Sequence, residues 1–97
     1  MLDKYVAKNN RRTAHRTING EAVVVNLKDS IFHTLNPVAT FIWEQADGQL
    51  TVKQIIGRIC QEFEVDPDTA ERDCLEFLDT LANKDLVVLS QLPLEEN

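Results

Sequence analysis

Ninety-seven residues, 43% hydrophobic and 27% charged, hold one hydrophobic core and leave no room for a second. A net charge of −6 weighs against a nucleic-acid partner, because such affinity rests on cations meeting phosphates. No run reaches the roughly 18 apolar residues of a membrane span, and the N-terminus has no apolar stretch to serve as an export signal.

Charge is unevenly spread. Six basic residues (Lys4, Lys8, Arg11, Arg12, Arg16, Lys28) face two acidic ones up to Lys28, whereas four face fourteen from Asp29 onward. Residues 1–12 show no periodicity and are rich in Lys, Arg and Asn, so a flexible basic arm is expected there. A basic arm on an acidic body fits self-association, a charged peptide partner, or simple solvation of two surfaces.

Two extended segments follow. Residues 21–27 (EAVVVNL) form a β-branched run, and residues 30–35 (SIFHTL) come after the polar pair Lys28-Asp29, as in a hairpin. Asn19-Gly20 is a second hairpin turn signal, which makes residues 15–18 a third strand.

Helices occupy most of the rest. Asn36-Pro37 supplies a cap and then proline at the first helical position, where its missing N–H costs nothing. Val38, Ala39, Ile42, Trp43 and Ala46 share one face of that helix, which ends at Asp47-Gly48. Trp43 is most simply core, while Phe41 lies off the stripe, exposed or against the arm or a partner. Thr51 caps a second helix with Val52, Ile55, Ile56, Ile59 and Phe63 at helical spacing. Asp66-Pro67 opens a third, running to about Lys84. Residues 86–89 are a short apolar strand that could close against the hairpin, and residues 91–97 read as a frayed tail.

The expected fold is therefore α+β, a winged-helix-like small domain over residues 13–90. An N-terminal β-hairpin or three-stranded sheet packs on three helices.

Little in the chain speaks for catalysis. His15 and His33 lie in predicted strands, far in sequence from either cysteine, and no CxxC, HxxxH or HExxH spacing offers a zinc site. The three glycines are isolated, so there is no phosphate-binding loop. Cys60 and Cys74 fall on or beside apolar helix faces and read as packed thiols ahead of a redox pair. Without a disulfide framework or an export signal, they point to a reducing cytoplasm.

The ordered set Leu35-Asn36, Ala39, Ile42-Trp43, Asp47-Gly48, Thr51-Val52, Ile55, Phe63 and Val65 resembles the PqqD family, the coenzyme pyrroloquinoline quinone (PQQ) synthesis protein D group. Ala70, Asp73, Phe77-Leu78, Leu81 and Leu86-Val87 continue the likeness, which spans residues 20–88. Phe32-His33 stands where relatives often carry two aromatics, and Asp85 stands where they commonly have Gly. The Pro-Glu element associated with members serving PQQ biosynthesis is missing before Leu35-Asn36, which brings the chain nearer to the broader set of stand-alone relatives.

The resemblance implies a non-catalytic, cofactor-free recognition element. Such a protein binds the leader of a ribosomally made precursor peptide and presents it to a modifying enzyme, often a radical S-adenosylmethionine (SAM) protein. Any iron–sulfur cluster would belong to that enzyme. It also implies that the leader adds as a strand along Ser30, Ile31, Phe32, His33, Thr34 and Leu35, beside the third helix. Ile31, His33 and Leu35 would share one face of that strand and Phe32 and Thr34 the other, with either set able to meet the core.

On the third helix, Ala70, Cys74, Phe77 and Leu81 form a core stripe, and Leu75, Leu78 and Ala82 widen it into a shoulder. That shoulder is the expected groove floor, with Glu71, Arg72 and Asp79 at its rim, although Leu75 could instead pack under a loop or the arm.

Two rivals remain at this stage. A winged-helix DNA-binding regulator would need Arg, Lys, Asn or Gln on its recognition helix, and Glu71, Asp73, Glu76 and Asp79 oppose that. Exposed strand edges also self-pair, so a strand-swapped homodimer is the structural alternative.

Overall fold

The computed structural model describes residues 1–94. Two three-stranded antiparallel sheets and three helices make up an α+β domain. The strands are β1 (Tyr5–Lys8), β2 (Thr13–Ile18), β3 (Glu21–Asn26), β4 (Ile31–Thr34), β5 (Asp47–Thr51) and β6 (Val87–Ser90); the helices are α1 (Pro37–Gln45), α2 (Val52–Glu62) and α3 (Pro67–Asn83).

The meander β2-β3-β4 holds the expected hairpins. Asn19 and Gly20 both take positive φ (53° and 80°), the backbone of a type I′ turn, whose twist matches that of the flanking strands. The β3–β4 connection is longer than the expected two residues. Ser30 lies in it with φ 61°, its N–H donating to the Asn26 carbonyl at 2.7 Å, so Ser30 belongs to the turn and not to the strand.

Each helix begins as its cap residue dictates. Asn36 Oδ1 accepts from the Ala39 N–H, Asp66 Oδ1 accepts from the Thr69 N–H, and Thr51 with Gln54 forms a reciprocal capping box. Asp85 closes α3 in the left-handed conformation (φ 59°), with the Leu86 N–H reaching back to the Leu81 carbonyl at 2.9 Å. Thr40 ties α1 to the meander. Its Oγ1 accepts from the Ala22 N–H at 2.8 Å and donates to the Leu35 carbonyl at 3.2 Å.

The second sheet departs from expectation. Tyr5–Lys8, inside the expected flexible arm, is its central strand, in the order β5-β1-β6. Val6 and Ala7 are both buried, as a strand covered on two faces requires. Strand β6 pairs with β1 and not with the hairpin, Val6 opposite Leu89. Asp47–Thr51, expected as a helix end and turn, is an edge strand. There Gly48 has φ 83°, and a Cβ would collide with the carbonyl of Leu94. Leu94 is held at this point, its N–H donating to the Gly48 carbonyl at 2.8 Å; the rest of the expected frayed tail, 95–97, lies outside the described residues. Trp43, Ile42, Ile55, Ile59, Leu78 and Leu86 fill the core between the sheets and helices. Among the described residues, no helix is long and apolar enough to cross a membrane.

Candidate functional site: an open strand edge beside an apolar cleft

Strand β4 pairs with β3 on one side, and its other edge is open among the described residues. The Leu35 N–H bonds the Ala22 carbonyl at 2.8 Å. Hydrogen bonding alternates along an antiparallel ladder, so Phe32 and Thr34 direct their N–H and C=O groups away from β3. The register pairs His33 with Val24 and Ile31 with Asn26. Val24 and Asn26 are buried, so Ile31, His33 and Leu35 form the inward face. Leu35 is buried and His33 half-buried, but Ile31 remains 53% exposed despite facing inward. On the outer face Phe32 is 69% exposed.

Helix α3 comes near the meander at two places. At one end Asn26 Nδ2 approaches the Lys84 carbonyl (3.5 Å) beside the β3–β4 turn. At the other, Asn36, just beyond β4, shares a cavity of about 460 Å³ with α1, α2 and α3. From α3 the cavity takes Thr69, Ala70, Asp73, Cys74, Glu76, Phe77 and Thr80.

This is not the face expected from the sequence. Leu78 is fully buried and belongs to the core, whereas Phe77, expected in the core stripe, is half-buried, packing against the core and also lining the cavity. Leu75 lies about 200° around the helix from Phe77, at 100° per residue, and together with Ala82 packs against the core. Glu71, Arg72 and Asp79 are exposed and do not line the cavity. The structure thus brings Ile31, Phe32, His33 and Thr34 to an open edge but turns the expected α3 shoulder away from the cleft. Thr69, Asp73, Glu76, Phe77 and Thr80 take its place. Helical periodicity gave the width of the apolar arc, and Phe77 beside Leu78 at its border was the sequence signal that the arc could rotate.

Cys74 forms part of the cavity wall as an inert thiol, since burial pushes its pKa up to about 12. Behind the meander, His15 meets Trp43 edge-to-face at 5.5 Å, and Lys8 Nζ lies 5.8 Å from the Trp43 ring. The Trp43 indole N–H is buried without a hydrogen-bond partner among the described residues.

The family model for coenzyme PQQ synthesis protein D (PqqD) matches residues 21–87, well over half of the chain. The chain belongs to the PqqD family. Among solved structures, this PqqD chain is similar to one described as TbiB1 in complex with the TbiA(beta) leader peptide. The two share 33% identity and a TM-score of 0.72, over 78% of this chain and 88% of that one. No curated protein matches significantly. The match from Glu21 to Val87 takes in the meander strands β3 and β4, all three helices and the residues that line the cavity.

Proposed function

We propose that the protein is a non-catalytic recognition element that captures the leader of a ribosomally made precursor peptide by strand addition to β4. The observation that carries this reading is an open β4 edge beside an apolar cleft, in a PqqD-family chain similar to a leader-bound structure. Outward N–H and C=O groups of Phe32 and Thr34 supply sequence-independent affinity, and the cleft supplies selectivity. Ile31 and His33 meet the inward side chains of the added strand. The peptide would then pass to a modifying enzyme, a radical SAM protein or another, in the cytoplasm, where Cys60 and Cys74 stay reduced. The same edge can pair two copies of the chain, so a homodimer would compete with the peptide.

The test replaces Thr34 with proline. Its N–H points away from β3, so Thr34→Pro removes a donor to the peptide and leaves the β3–β4 ladder intact. Synthetic peptides matching short reading frames beside the gene serve as ligands in a fluorescence titration. The expected result is an affinity loss of about tenfold or more, with the melting temperature nearly unchanged. Undiminished binding by the proline variant would refute strand addition at β4.

A further inference from the structure

The chemistry of the cavity narrows the peptide it takes. Its floor is apolar, with Val38, Ala39 and Ile42 from α1 opposite Phe77 from α3. Its α3 rim carries two carboxylates, Asp73 and Glu76, one helical turn apart, and among the described residues no Lys or Arg lines the cavity. The nearest guanidinium is that of Arg72, whose Nε lies 3.6 Å from Asp73 Oδ1 with both side chains more than half exposed. A pair so open to water is weak and readily exchanged for a better-placed cation. The cavity is therefore an apolar pit with an acidic lip, at the end of an edge that accepts an extended chain.

Resting on the leader-binding reading above, we infer that the bound peptide is anchored by a large apolar side chain in this pit and a lysine or arginine on Asp73 and Glu76. The pit and its lip are one site, opening beside Asn36 just past β4, and side chains of an extended chain that enter one site share a face. The two anchors must therefore project from one face of the added strand, which places them two positions apart, roughly 6.8 Å. The sequence rule is an apolar residue and a basic residue separated by one, in either order. The volume of about 460 Å³ admits an aromatic ring with the stem of a neighbouring long side chain. The protonated Cys74 thiol in the wall leaves the carboxylates as the charged groups of the cavity lining.

The experiment uses synthetic twelve-residue peptides on a Thr/Ser/Val background. Phe, Leu or Asp occupies one central position, and Lys, Ser or Glu lies two positions away. Each is titrated into the full chain and into Asp73→Asn/Glu76→Gln, whose exposed positions spare the fold. With Phe or Leu as anchor, the Lys peptides should bind about tenfold tighter than the Glu peptides, the scale of one charge-assisted contact. The double variant should abolish that difference and keep the preference for Phe over Asp.

Equal binding of Lys and Glu peptides, or a Lys preference that survives in the double variant, overturns the inference and leaves strand addition standing. Failure of every peptide in the panel also overturns it. Strand addition falls separately, if Thr34→Pro leaves binding of the neighbouring-frame peptides unchanged.

Discussion

Cys74 is packed in the fold, as its place on the apolar face of α3 suggested. Its thiol is fully buried between α3 and the core, and burial raises its pKa from 9.0 to about 12. At pH 8 iodoacetamide should therefore label Cys60 alone in the folded chain and both cysteines in urea, as read by intact mass. The same shift sets a pH dependence. The unfolded thiol ionises near 9 and the folded one near 12, so its contribution to stability is whole below pH 9 and is lost as pH rises through 12. The alkaline fall in melting temperature should be shallower for Cys74→Ala than for the parent chain. An unchanged slope would mean that the thiol reaches solvent.

At the scale of elements, α1 is latched to the meander by Thr40, whose buried hydroxyl joins the Ala22 N–H to the Leu35 carbonyl. Thr40→Val keeps the shape but leaves that N–H unpaired in the interior. It should cost about 1–3 kcal/mol, measured from urea denaturation midpoints. Most elements were legible in the sequence because their signals are local. Asn19-Gly20 fixes a turn, and Asn36-Pro37, Thr51 and Asp66-Pro67 start three helices within a residue of where they were expected. Strands β1 and β5 were not legible. The run Tyr-Val-Ala-Lys is short and flanked by polar residues, and Asp-Gly-Gln-Leu-Thr reads as a turn; β5 becomes a strand by pairing with β1, and β1 by pairing with β5 and β6. The site was legible by halves. Alternation marked out β4, and the register then settled which face meets the core. On α3 periodicity gave an arc, but only packing against α2 and β6 fixed its rotation, burying Leu78 and freeing Phe77.

For the whole molecule, the N-terminal residues are structural. Strands β5 and β6 meet only through β1, so deleting residues 1–8 leaves two unpaired edges and uncovers Val87. Circular dichroism should then show no cooperative thermal transition, whereas a sharp one would mean that residues 9–94 fold alone. This pairing also makes the sheet a long-range one. Strand β1 must find Val87–Ser90, a partner far along the chain, before its sheet is complete. Helix α3 packs on that strand, so the wall it gives the cavity is set only once this distant pairing has formed.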